Sequence, residues 1–224
     1  MTRYTLTRSK RKTIAIYIRG GGVEVRAPIR ASKRDIDRFV TSKELWIKDK
    51  LAASIERQAK RESFTLTYGD SVAFRGAQFL IAPREGARAG FDEDHFYMPP
   101  GLAPDQIKAT CVRIYRVLAK RHLTSRVEAL SERMAVAPTA VKINRALTRW
   151  GSCSAKKSLN FSWRLIQAPD DVIDYVVVHE LAHIKELNHS PRFWAIVEGV
   201  MPEYREQKAK LKILHKKLSV EDWG

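Results

Sequence analysis

Val178-His-Glu-Leu-Ala-His-Ile-Lys-Glu-Leu-Asn-His-Ser190 is the stretch that decides the reading of this chain. It contains H-E-x-x-H, and the apolar residues around it (Val172, Ile173, Val176, Val177, Leu181, Ile184) recur at helical spacing. That pattern predicts a buried helix over about 170–187. Residues four apart lie on one face of a helix, so His179 and His183 can present their imidazoles to a single ion. Zinc accepts neutral imidazole and prefers four ligands in a tetrahedron. Two helical histidines therefore leave two positions, one for a further protein ligand and one for water.

His189 is the natural third ligand, ten residues after His179. To swing back, the chain must leave the helix soon after His183. Asn188 suits a left-handed C-terminal residue, and Ser190-Pro191 reads as the N-cap and first turn of a following helix. Competing third ligands are the downstream carboxylates Glu198, Glu203 and Glu206, with Glu186 closer by. Glu180 follows the first histidine and should lie beside the ion, positioned to take a proton from activated water. Zn2+ is the expected ion; other divalent transition metals are alternatives. The pattern departs from metzincins, which carry Gly where this chain has Glu186 and which have a separate Met-turn; Met201 is a poor substitute for it.

C-terminal to this stretch, two helices are expected near 191–201 and 203–219. N-terminal to it, strands are expected near 140–149 and 158–163. They follow a long helix that starts at Pro104, with a buried stripe through Ile107, Cys111, Ile114, Leu118, Val127, Leu130 and Met134. Earlier still, residues 14–18 and 23–27 read as strands around Gly20-Gly21-Gly22. Ser32 with Asp35 reads as a cap opening one long helix marked by Ile36, Phe39, Val40, Ile47, Leu51 and Ile55. Further strands are expected between Phe64 and Ala82, and residues 84–101 read as a loop with one more short strand. The expected organisation is a β-rich lobe with one long helix over 1–100 and a catalytic domain over 101–224.

Composition bounds the rest. The chain has 224 residues, 44% hydrophobic and 29% charged, which allows a sizeable core and argues against disorder. No apolar run is long enough for a membrane helix, and no secretory signal is evident. Two cysteines, Cys111 and Cys153, are too few for a disulfide scaffold and suit a reduced, cytoplasmic setting. The net charge of +16 is spread over both halves of the chain. Such a field attracts polyanions, and two basic clusters stand out: Arg8, Lys10, Arg11, Lys12, then Lys208, Lys210, Lys212, Lys216, Lys217.

TRWGSCS (148–154), NFSWRLIQAP (160–169), DYVVVHELAH (174–183) and NHSPRFW (188–194) together resemble the signature of YgjP-like metal-dependent hydrolases, relatives of SprT-like and other zincin proteases. The RSKRKTIAIYI and VRAPIRAS segments resemble that family's N-terminal part, so the resemblance spans nearly the whole chain. It implies an α+β fold: a zincin-like metallopeptidase core, in which a small sheet packs on the HExxH helix, with a β-rich N-terminal extension. It carries the metal ligands onto His179, His183 and His189 and the general base onto Glu180. In such folds a strand edge lies beside the active helix and pairs with extended substrate, and residues 149–154 resemble that element.

Other candidates for substrate binding or transition-state stabilisation are Arg164, Tyr204, Trp150 and Ser152. Asp174 is a candidate partner for a ligand or cap of the active helix. A catalytic Cys153 is disfavoured against a small residue near a tight turn, and Trp194 reads as a packing anchor. Three functional readings are open: a zinc metallopeptidase acting on polypeptide; a metal-dependent phosphohydrolase or pyrophosphatase acting on a nucleotide; and a nucleic-acid-binding module with a structural metal.

Overall fold

The computed structural model describes residues 2–86 and 88–224. It is a mixed α+β structure whose contacts divide into two compact units. The first unit holds residues up to Phe64 together with Ser219–Asp222. The second holds Thr65–Leu218 with Trp223–Gly224.

In the first unit, β1 (Thr5–Ser9), β2 (Ala15–Arg19) and β3 (Gly22–Pro28) form a sheet in the order β1-β3-β2. β1 runs parallel to β3 and β2 antiparallel to it. Val23, Val25 and Ala27 alternate along β3 and face Ile36, Val40 and Ile47 from the helices. Ser32 caps the first helix, accepting the Asp35 N–H at 3.1 Å. The expected single long helix is in fact two, α1 (Lys33–Ser42) and α2 (Glu44–Glu62), broken where Lys43 takes φ −110°, ψ 12°. The buried residues Val40 and Ile47 are seven apart, so they keep one face across the break. The apolar pattern therefore reads as continuous.

The second unit carries the site. β4 (Ser71–Phe74), β5 (Ala77–Pro83), β6 (Gly90–Phe91) and β7 (His95–Met98) form a sheet in the order β4-β5-β7-β6. The chain divides after Phe64 rather than near residue 100 because these strands pack on the long helix α3 (Pro104–Met134). The Phe96 ring lies 5.0 Å from that of Tyr115 on α3, whose hydroxyl donates to the Ala73 carbonyl at 2.5 Å. α3 also buries Ile107, Cys111, Ile114, Leu118, Leu123, Val127, Leu130 and Met134. Pro104 occupies its first turn, as expected, and Ala135 ends it in the left-handed region at φ 50°.

Another sheet comes next: β8 (Ala140–Asn144), β9 (Gly151–Cys153) and β10 (Ser158–Ser162), in the order β8-β10-β9. β10 leads into a buried 3-10 turn over Trp163–Gln167, where Trp163 stacks on Tyr115 and meets Trp223 edge-on. Then come α4 (Asp170–Ala182), α5 (Pro191–Val200) and α6 (Tyr204–Leu218). Among the described residues no helix is long and apolar enough to cross a membrane.

α4 is apolar on nearly all sides: Val172, Ile173, Val176, Val177, Val178 and Leu181 are all buried. A helix of that kind belongs in a core. Its first turns carry Asp170, Asp171 and Asp174, favourable beside the positive end of the helix dipole. Each is paired to a different element. Asp170 takes the Arg75 guanidinium, Asp171 takes Lys210 of α6 at 2.7 Å, and Asp174 takes Arg126 of α3 through two bonds of 2.6 and 2.7 Å. The turn bearing Arg75 presses on Pro169 at the head of α4. A Cβ on Gly76 would come within 2.9 Å of the Pro169 ring, and Gly76 has φ +82°, so that position requires glycine.

Asp92, ahead of β7, accepts from the Arg84 guanidinium and from the Asp94 and His95 N–H groups, which hold its carboxyl at about 2. The unfolded carboxyl titrates near ~4, so this contribution is full above about pH 4 and is lost as the pH falls toward 2. The urea unfolding midpoint should therefore drop between pH 4 and pH 2, and Asp92→Asn should show a smaller drop over the same window by tryptophan fluorescence.

Candidate metal centre

α4 ends at Ala182, with His183 as its C-cap, one turn earlier than the apolar pattern suggests. The His183 ring takes part in the exit: its Nδ1 donates to the Glu186 carbonyl at 3.1 Å. Asn188 does not adopt the left-handed geometry expected of it; the described non-glycine residues with positive φ are Arg75, Ala135 and Lys157. The reversal is made instead by the short turn after His183 and by the next cap. Ser190 accepts the Phe193 N–H at 3.3 Å, and Pro191 occupies the first turn of α5. His189 sits immediately before that cap.

The outcome brings His179, His183 and His189 together. One nitrogen from each lies within 4.8 Å of the others, and the Nε2 atoms of His179 and His189 are 3.0 Å apart. Two nitrogens bound to tetrahedral zinc at ~2.0–2.1 Å would be about 3.3 Å apart, so the His179–His189 pair is already close to the spacing an ion needs. Because a carbonyl only accepts, the Nδ1 of His183 carries the proton and its Nε2 is left for the ion. Burial first, then His183 and His189, push His179 down to about 3, and burial also lowers His189. For His179 and His189 this favours the neutral imidazole, the form that binds metal. Phe193 packs against all three rings, at 4.9, 4.5 and 4.7 Å, and fixes their spread.

Glu180 is buried beside the trio and packs on β9 of the small sheet. A Cβ on Gly151 would lie 2.5 Å from the Glu180 Oε1 and 2.6 Å from its Cγ, so the carboxylate occupies the space that only glycine leaves. Its carboxyl is pushed up to about 7 by burial, against smaller opposing effects from Arg149 and from the Cys153 N–H, which donates to it. A cavity of about 280 Å³ opens at this point. Trp150, Gly151, Tyr175 and Val176 line it on one part, Lys208 and Leu211 of α6 on another, and His179 and Glu180 reach into it. The arrangement can hold one divalent ion, keep a carboxylate beside it, and admit a substrate group next to both.

The remaining candidates fall in different places. Trp150 lines the cavity, 6.0 Å from His215. Ser152 lies on β9 opposite Asn160, on an edge strand. Tyr204 is buried in a stack between Tyr175 and Trp194. Arg164 is turned into the core by the 3-10 turn, its guanidinium 4.7 Å from the Trp163 ring, and is not among the cavity's lining residues. Asp174 is taken by Arg126.

Of the alternative carboxylates, Glu198 pairs with Arg205 and Glu206 with Lys210. Neither these two nor Glu186 and Glu203 belong to the metal-capable cluster found among the described residues. The Cys153 thiol is raised by burial and then by Glu180, the reverse of an activated nucleophile. Three site residues are not expected from sequence: Phe193, Tyr175 and Lys208. Tyr175 has a readable signal, since it lies four residues before His179 on the same helix face.

The family model for YgjP-like metallopeptidase domains matches residues 12–214. No curated protein matches the chain. Two solved structures are similar to part of it. One is the metallopeptidase zymogen of Pyrococcus abyssi abylysin (23% identity, TM-score 0.39), covering 45% of this chain and 98% of that one. The other is the metallopeptidase zymogen of Methanocaldococcus jannaschii jannalysin (21% identity, TM-score 0.37), covering 42% and 95%.

If the three imidazoles share one ion, His189→Ala should weaken zinc binding by about 100-fold or more, read by competition with a chromophoric chelator. Glu180→Gln should bind zinc with unchanged stoichiometry.

Proposed function

The chain belongs to the YgjP-like metallopeptidase family, and from that premise we propose that it is a zinc-dependent peptidase. In this reading His179, His183 and His189 hold the ion and Glu180 is the general base, all within the 101–224 stretch. The observation that carries it is the gathering of three imidazoles in one cluster, with a buried carboxylate next to them and an edge strand alongside. Three protein ligands leave an open position, as catalytic zinc requires, where a structural site would close with a fourth. This weighs against the reading as a nucleic-acid module with structural metal.

The ion, when bound, supplies acidification of a water molecule and polarisation of the scissile carbonyl. The protein supplies the rest. Glu180, held between α4 and Gly151, accepts the proton at its carboxylate and delivers it to the leaving amine. Phe193 keeps the three imidazoles in register. β9, with one side paired to β10 and the other at the sheet edge, offers backbone groups to an extended polypeptide. Free Cys111 and Cys153 suit the reduced, cytoplasmic setting that forms part of this reading.

The test is metal-loaded protein with an unfolded polypeptide, with and without DNA, and with a nucleotide panel in parallel. Expected is metal-dependent peptide-bond cleavage, lost with chelator and reduced by about 10²–10⁴ in Glu180→Gln that still binds metal. Phosphate or pyrophosphate release from nucleotides without peptide cleavage would transfer the same site to the phosphohydrolase reading. Gly151→Ala should fold and bind zinc, yet lose activity comparably, because the new methyl displaces Glu180.

A further inference from the structure

The cavity beside His179 and Glu180 has mostly apolar walls and a single cationic side chain, Lys208 of α6. At about 280 Å³ it sits at the small end of ligand pockets, which run to ~300–1,000 Å³ where they enclose whole small molecules. It therefore has room for one side chain of a longer substrate. Lys208 and Leu211 are three residues apart and share the face of α6 that borders the cavity.

The pairing of Lys208 sets it apart from its neighbour on the helix. Lys210, two positions along, is taken by Asp171 and Glu206. Lys208 has no carboxylate within ion-pair distance among the described residues; its ammonium rests 4.6 Å over the Trp194 ring. Trp194 is itself stacked on buried Tyr204, so the ammonium stands on a rigid aromatic base. Its charge is left available to a group that enters the cavity.

We propose that Lys208 is a specificity residue, and that the substrates are polypeptides carrying Glu or Asp at the position whose side chain enters this cavity. The inference rests on the peptidase reading. A glutamate would lay its methylenes against Trp150, Tyr175 and Leu211 and bring its carboxylate to the Lys208 ammonium, forming a charge-assisted hydrogen bond. A glutamine of the same shape would lose the charge, and a lysine would meet repulsion.

The experiment is cleavage of a diverse peptide library by the metal-loaded full chain, with cut sites read by mass spectrometry. Wild type should enrich Glu and Asp at one position near the scissile bond, by about tenfold over Gln and Asn in kcat/KM for matched peptides. Lys208→Glu should move the preference at that same position to Lys and Arg. Lys208→Met should lose the charge preference there. Cleavage without acidic enrichment in wild type, or an unchanged acidic enrichment in Lys208→Glu, overturns the assignment of Lys208 and leaves the peptidase reading intact. So does a uniform fall in kcat across all peptides with no shift in preference, which would make Lys208 a general electrostatic contributor. Absence of any cleavage by wild type overturns both.

Discussion

The site depends on the burial of α4. A helix lined on nearly every side by Val, Ile and Leu has no choice of face, and each such side chain gains roughly 1.5–3 kcal/mol by leaving water. Its position is therefore fixed by packing before any chemistry is considered. The polar groups it carries, His179 and Glu180, are taken into the core with it. The acidic start of the helix tightens the placement, since Asp170, Asp171 and Asp174 are each held by a different part of the second unit. A shift of α4 along its axis would break all three pairs together.

That burial also sets the protonation states. Desolvation disfavours the charged form of every titratable group. For His179 this favours neutral imidazole, the form a metal needs; for Glu180 it raises the carboxyl toward neutrality. One physical cause thus acts usefully on an acid and a base in adjacent positions. Gly151 completes the arrangement by letting the sheet approach so closely that Glu180 has one place to go.

How much of the fold and of the site is legible in the sequence depends on the range over which each signal acts. The H-E-x-x-H pair, the Ser190-Pro191 cap and the long helix from Pro104 rest on contacts within one or two turns, and the structure has them. Lys43 and Asn188 mislead for a local reason. Apolar periodicity survives a helix break when the flanking buried residues stay in phase, as Val40 and Ile47 do, and a turn can close through a histidine ring and a later serine cap with no left-handed residue. The closeness of Gly151 to Glu180, the packing of Phe193 under three imidazoles and the inward turn of Arg164 are long-range facts. No spacing rule along one chain encodes them. The strands over 71–98 belong with α3 because Tyr115 and Phe96 meet, a contact across two elements that local pattern cannot reveal.

The basic character of the chain takes a different meaning once its charges are placed. In the sequence, Lys208 and Lys210 belong to one cluster, and Arg8 to another. In the fold Lys210 pins α6 to the head of α4. Arg8 gathers the carbonyls of Pro28, Ile29 and Ala31 at 3.2, 3.0 and 2.6 Å and so closes the chain after β3. These two cations are engaged in holding the protein's own backbone and carboxylates. Lys208 differs from its neighbour by two positions, which on a helix is more than half a turn. That rotation carries it from the contact with α4's aspartate to the edge of the cavity. Net charge records both residues as equal, whereas only the helical phase separates a cation paired to α4 from one that lines the cavity.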